Sequence, residues 1–246
     1  MGSFSWVHLL VLLAVVAIIV LVVALALRGW RRRGIDATVG VTLSGAAIVA
    51  AFSLLFGVGA VLIALTADSV QFTIPVNEYW PQLPDGVTVT TSAHLESGGF
   101  TTADVWVTGA SPAARVFWAL GQGIGYLVPT AVAALIAITC FQLLRGVPFA
   151  RIVVRAALIT AVVVLVGGVA ADVLSQIGGS IVSHELLSVT AATGLTEQQD
   201  LDSLLPQPMT SVTIPLWPIG VGLGFAALAA VLKYGAVLQR DTEGLV

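Results

Sequence analysis

Charge is what this sequence has least of. Asp, Glu, Lys and Arg make up 9% of the 246 residues, where an ordinary soluble domain carries about a quarter. So few charged groups cannot clothe a surface that faces water, but lipid asks for no such covering. Lysine is reduced to Lys233 alone. Cysteine is reduced to Cys140, which excludes a disulfide within one chain and reads as a small packing residue inside an apolar run. The histidines are His8, His94 and His184. They form no serine–histidine–carboxylate triad and no zinc or calcium spacing, so no catalytic residue, metal or cofactor is assigned.

What is abundant is apolar sequence, 58% of the chain. A helix needs roughly 20 mainly apolar residues to cross about 30 Å of hydrocarbon. Five runs approach or exceed that: Val7–Leu27, Thr38–Ala67, Phe117–Leu144, Ile152–Ala171 and Ile214–Leu232. Main-chain groups in lipid must bond within their own segment, so each run is expected to be helical. The expected fold is a membrane all-α bundle of five transmembrane helices with a small β-rich extracytoplasmic segment. Residues 1–37 form a signal-anchor helix and a basic turn; residues 38–246 form a four-helix membrane domain.

Arginine sets the orientation. Lys and Arg collect on the cytoplasmic side of a membrane. With Arg28, Arg31, Arg32 and Arg33 inside, five alternating spans also place Arg145, Arg151, Arg155, Lys233 and Arg240 inside. Only Arg115 then falls outside. The N-terminus is expected outside and the C-terminal tail, 233–246, in the cytoplasm. The first run follows a charge-free start and precedes its basic cluster, the pattern of a retained reverse signal-anchor. His8 at its outer end reads as an interfacial polar residue. The Arg28–Arg33 knot is accounted for by topology and anionic headgroups, without nucleic acid. Trp6, Trp118 and Trp217 are expected at the outer boundary, Trp30 and Tyr234 at the inner one.

Two outer segments remain, about 68–115 and 176–213. In the first, Ser69–Ile74, Val87–Thr91 and Ala103–Thr108 read as strands between Pro and Gly punctuation. Met209–Ile214 is expected as one more strand of the same sheet. Both segments are acidic. His94 with Glu96, and His184 with Glu185, are weighed as a shared metal site and read as solvated groups.

Within the spans, small residues supply close-packing surfaces: Gly45, Gly57 and Gly59, then Gly121 and Gly125, then Gly220 and Gly224. Gly121-Gln-Gly-Ile-Gly125 does not read as a nucleotide loop, because a span rather than a βαβ unit surrounds it. Pro129 is expected to kink its helix. In the turn 145–151, Gly146 is expected to end one helix and Pro148 to start the next. Arg151 and Arg155 share a helix face. With Arg145 they are candidate contacts for a lipid phosphate or a partner's carboxylates, beside plain snorkelling. Asp172 is the one acid in a span, a candidate functional group near the outer boundary. The helix is expected to leave the membrane before Gly178-Gly179.

Leu143-Leu-Arg-Gly-Val-Pro-Phe149, Arg155 and the end Leu238-Gln-Arg-Asp-Thr-Glu-Gly-Leu-Val246 carry a resemblance. Over roughly 39–246 the chain resembles an uncharacterised family of small bacterial integral membrane proteins, domain of unknown function 2975. The resemblance implies four spans, no reaction and no catalytic residues. It also implies a small cytoplasmic helix-turn-helix regulator as a partner. The Ala-, Val- and Arg-rich composition suits a GC-rich bacterial genome, and the cytoplasmic membrane is the expected location. Three functions follow: a non-enzymatic sensing or partner-binding protein, a small transporter or channel subunit acting as an oligomer, and an outer-face enzyme, the last having no motif in its favour.

Overall fold

The computed structural model describes residues 37–81, 90, 92–93, 96–189 and 205–243. The run Val7–Leu27, the Arg28–Arg33 knot, Asp85, Val87–Thr91 apart from Thr90, His94, Glu197, Asp200 and Asp202 lie outside the described residues. The elements are α1 (Ala37–Thr66), β1 (Ser69–Tyr79), β2 (Phe100–Thr108), α2 (Pro112–Leu144), α3 (Arg151–Val162), a π-helical turn (Val163–Gly167), α4 (Gly168–Leu187) and α5 (Trp217–Glu243). The stretch from α3 through α4 is one unbroken helix, Arg151–Leu187. Four helices are long and apolar enough to cross a membrane: Thr38–Thr66, Pro112–Leu144, Arg151–Leu187 and Trp217–Leu238.

Two of these helices overrun the expected limits. The 33 residues of α2 and the 37 of α3–α4 extend about 50 and 55 Å at 1.5 Å per residue. That exceeds the thickness of a hydrocarbon layer, and the surplus sequence is built into a second compact unit. Among the described residues, the helical unit comprises 37–60, 122–171 and 215–243. The hairpin unit comprises 61–121 and 172–214.

The continuous helix Arg151–Leu187 is the most enclosed of the four spans: a third of its most apolar window is buried, against 11% for each other span. The remaining faces stay apolar and exposed, as with Leu54, Phe56 and Val58 on α1. Ala157 on α3 packs with Leu135 of α2 and Ala229 of α5. Buried Thr160 donates its hydroxyl to the Ala131 carbonyl at 3.2 Å. The closest helix approach is at Gly222, where a β-carbon would lie 2.6 Å from that of Leu165 and 3.1 Å from the Ala161 carbonyl oxygen. The expected packing residues of this helix, Gly220 and Gly224, have nothing within 4 Å. Two residues along a helix rotate a position by about 200°, so the flanking glycines face the opposite way. On α1 only Gly57 is close-packed, against Tyr126; Gly45 and Gly59 face open space. The π turn, one residue wider than an α turn, lies where α5 comes nearest: Leu165 meets Gly222 and Gly168 meets Pro218. Pro129 sits inside α2, which runs unbroken through it.

The hairpin unit is built on period two. Val70, Phe72 and Ile74 are buried while Gln71 and Thr73 are exposed. That face lies on Ala64 of α1, Ala114 and Ala119 of α2 and Val182 of α4. Small helix residues let the strand side chains seat deeply. Trp118 packs on Phe72 with ring centroids 5.2 Å apart and so contributes to this core. The two strands pair antiparallel, with Phe72 opposite Val105 and Thr73 opposite Asp104.

The second outer segment differs from expectation in two ways. Residues 176–187, expected as part of an outer loop, are helical, and α4 runs on through Gly178-Gly179 to Leu187. Those glycines are contact points: Gly178 lies against Ala114 and Trp118, and Gly179 against the Thr73 carbonyl. Residues 209–214 form no strand. Just before them, among the described residues, Pro208 makes an isolated bridge to Val76, beside the Asn77 N–H bond to the Gln207 carbonyl at 2.9 Å. Otherwise the main chain is laced to side chains of α4. Gln176 donates to the Thr213 carbonyl at 2.9 Å and accepts from its N–H at 2.6 Å. Ser180 makes both longer bonds, 3.4 Å, to Ser211. The Ser183 hydroxyl donates to the Pro75 carbonyl at 2.6 Å and accepts from the Met209 N–H at 3.3 Å. Helix spacing of four and three puts these three side chains on one face, and an extended chain advancing two residues per rung meets them in turn. Their satisfied main chain has no need of a sheet partner.

Candidate functional site

The first candidate surface is the turn between α2 and α3. The Gly146 N–H bonds to the Leu143 carbonyl and the Val147 N–H to that of Gln142. That pair of bonds, with Gly146 at φ 74°, is a Schellman ending, and the left-handed conformation is why glycine stands there. Pro148 does not start the next helix. It lies inside a second turn closed by the Ala150 N–H on the Val147 carbonyl, and α3 begins at Arg151. A close approach of the Phe149 ring to Gly235 on α5 holds the turn in place.

Arg145, Arg151 and Arg155 are all exposed, and all lie at this end of the α2–α3 pair. Arg145 covers the Phe141 ring, with its guanidinium carbon 5.1 Å from the centroid. Arg151 and Arg155 stand one helical turn apart at the start of α3, whose first turn has no side-chain cap. Uncapped N–H groups and two guanidinium groups make this end of α3 electropositive. Sequence ranges 122–171 and 37–60 hold no Asp or Glu to neutralise it.

The second surface is the hairpin unit. Its sequence ranges, 61–121 and 172–214, contain Asp68, Glu78, Asp85, Glu96, Asp104, Asp172, Glu185, Glu197, Asp200 and Asp202. That is ten of the chain's thirteen carboxylates, with Arg115 the only Lys or Arg among them. Arg115 faces main chain, donating to the Ala67 carbonyl at 2.7 Å and the Asp68 carbonyl at 3.2 Å. It closes the C-terminal end of α1, where carbonyl groups lack helical partners. Its charge thus serves the scaffold.

The remaining candidates separate. His184 meets the Thr210 hydroxyl at 3.0 Å, while the Glu185 carboxylate accepts from the Ser111 N–H. The two adjacent residues are engaged in different places, and the described residues contain no group of three or more metal-ligating side chains. Asp172 is half-buried on α4 and bonds to no described residue. It lies one turn before Gln176, in line with the rungs. Cys140 is half-buried in α2. Gly121 to Gly125 is uninterrupted helix, with Gly125 facing Ala171.

One feature carried no clear signal in the sequence. Trp80 and Phe100 stack nearly parallel at 5.3 Å, yet stay 49% and 55% exposed. Their positions flank a Pro- and Gly-rich stretch, which was the available clue. Comparison with known proteins returns no matching family model, no similar curated protein and no similar solved structure.

Proposed function

We propose that this chain is a non-enzymatic, multi-pass protein of a bacterial cytoplasmic membrane that senses or binds a partner at an acidic outer face. The observation that carries this is the coincidence of charge with architecture. The sequence ranges 61–121 and 172–214 contain ten carboxylates against one arginine, which is engaged with main chain. Arg145, Arg151 and Arg155 gather at the turn between α2 and α3, within the helical unit. In this reading the N-terminus is outside, five helices cross the bilayer, and the resemblance over 39–246 extends to the family. The lipid bilayer is the first partner, with Arg145, Arg151 and Arg155 toward its phosphates or toward the carboxylates of a cytoplasmic partner. A small helix-turn-helix regulator is the cytoplasmic partner the resemblance suggests, and the chain itself takes no nucleic acid.

The test is quantitative mass spectrometry of protein purified at native expression level. Wild type is compared with Arg145→Gln/Arg151→Gln/Arg155→Gln and with Glu78→Gln/Asp104→Asn. A protein recovered with wild type and lost from one of the two variants is expected. Recovery of no protein partner in any arm would sink the reading.

A second reading, an oligomeric transporter or channel subunit, is favoured by half-buried Asp172 lacking a partner among the described residues. Solute flux into liposomes that falls severalfold with Asp172→Asn would support it. Unchanged flux would remove it.

A further inference from the structure

We propose that the exposed face of the hairpin docks an extended, arginine- or lysine-rich polypeptide segment, with Trp80 and Phe100 as the aromatic anchor. The proposal rests on the partner-binding reading and names the partner's chemistry. Alternate residues of β2 share a face, so Phe100, Thr102, Asp104, Trp106 and Thr108 lie on one side of the sheet. That side is exposed, and Trp106 is 69% accessible. At about 3.3 Å per residue, the Trp80–Phe100 pair and Trp106 stand about 20 Å apart. Asp104 lies between them, held by the Thr73 hydroxyl at 2.6 Å. The Glu78 carboxylate lies over Gly98, two positions before Phe100. The face is aromatic at both ends with the Asp104 carboxylate between them, in a unit whose sequence ranges hold one Lys or Arg, Arg115, bonded to main chain.

Charge decides between occupants. An anionic bilayer surface would be repelled by the net negative charge of this unit's sequence ranges. A small organic cation would want a gap between two rings, but these rings are stacked on each other. It would also reach one anchor and leave the other bare. A guanidinium stacks flat on the open ring face and pairs with a carboxylate at once. A strand of about six residues spans both anchors.

The experiment uses the full chain in phosphatidylcholine nanodiscs and a fluorescent decapeptide alternating Arg and Thr, with a Glu–Thr decapeptide as control. Wild type is expected to bind the basic peptide, more tightly at low salt. Trp80→Ala/Phe100→Ala is expected to weaken binding about tenfold and Trp106→Ala severalfold. Near-UV circular dichroism checks that Phe72 and Trp118 remain packed in each variant. Equal binding of the basic peptide by wild type and the folded double variant overturns the proposal. So does equal binding of the acidic peptide, or adsorption to added phosphatidylcholine vesicles that the double variant abolishes. If peptide binding fails while a partner still co-purifies with wild type, this face is wrong and the partner-binding reading stands; if both fail, both fall.

Discussion

Replacing Ser183 with alanine removes one oxygen atom that serves two elements. Its hydroxyl is fully buried, donates to the Pro75 carbonyl and accepts from the Met209 N–H. Without it the Pro75 carbonyl, in a buried residue of β1, has lost this donor. A buried acceptor left unmet costs about 1–3 kcal/mol. The Met209 N–H loses less, because Met209 is 41% exposed and water can replace the bond. The hairpin unit is therefore expected to lose about 2 kcal/mol, close to a 30-fold rise in its opening equilibrium. Hydrogen exchange by mass spectrometry in nanodiscs reads this at Asn77 and Met209, whose amides tie the 205–214 segment down. Neighbouring His184 is exposed and bonded to Thr210, so His184→Ala is expected to cost under about 0.5 kcal/mol. If Ser183→Ala exchanged like wild type while His184→Ala exchanged faster, the helix-to-chain rungs would not be what fastens this segment.

The other expectations are quickly stated. Gly222→Leu should cost about 1–3 kcal/mol and lower the melting temperature in detergent, whereas Gly220→Leu and Gly224→Leu, with open space around them, should not. Gly146→Val forces a branched residue to φ 74° and should cost about 1–2 kcal/mol. Gly146→Asn should recover part of that loss in the same thermal assay. Arg115→Ala frees the Ala67 and Asp68 carbonyls and should destabilise the base of the hairpin by about 1–2 kcal/mol. Unaltered exchange protection at Val70 and Phe72 would contradict that role.

The apolar runs could be read as helices because lipid permits little else over that length. Their ends could not, because a spanning helix that continues into a folded unit changes composition without changing conformation. Residues 172–187 turn polar and yet stay helical. The spacing of Gln176, Ser180 and Ser183 held the correction: three polar side chains on one helical stripe have something to bond. Strand alternation at Val70, Phe72 and Ile74 was legible because each inward residue meets small helix residues. Glycines repeating every second position in α5 fit two opposite faces, and only the Leu165 side chain chooses Gly222. Arg115 drew notice as the one cation on the wrong side, and its task at the end of α1 needed coordinates. Arg145, Arg151 and Arg155 were found by charge alone, and the turn seats them at one end of the helical unit. Trp80 and Phe100 come together only because a sheet register pairs Tyr79 with Phe100.

The proposed orientation, with residues 61–121 and 172–214 facing outside and the turn 145–151 facing the cytoplasm, is the central proposal. In a Cys140→Ala background, single substitutions Ser97→Cys and Val147→Cys can be probed in intact cells with a membrane-impermeant maleimide, and again after lysis. The account expects Ser97→Cys to label in intact cells and Val147→Cys to label only after lysis. Labelling of Val147→Cys in intact cells with Ser97→Cys protected, or equal labelling of both, would contradict it.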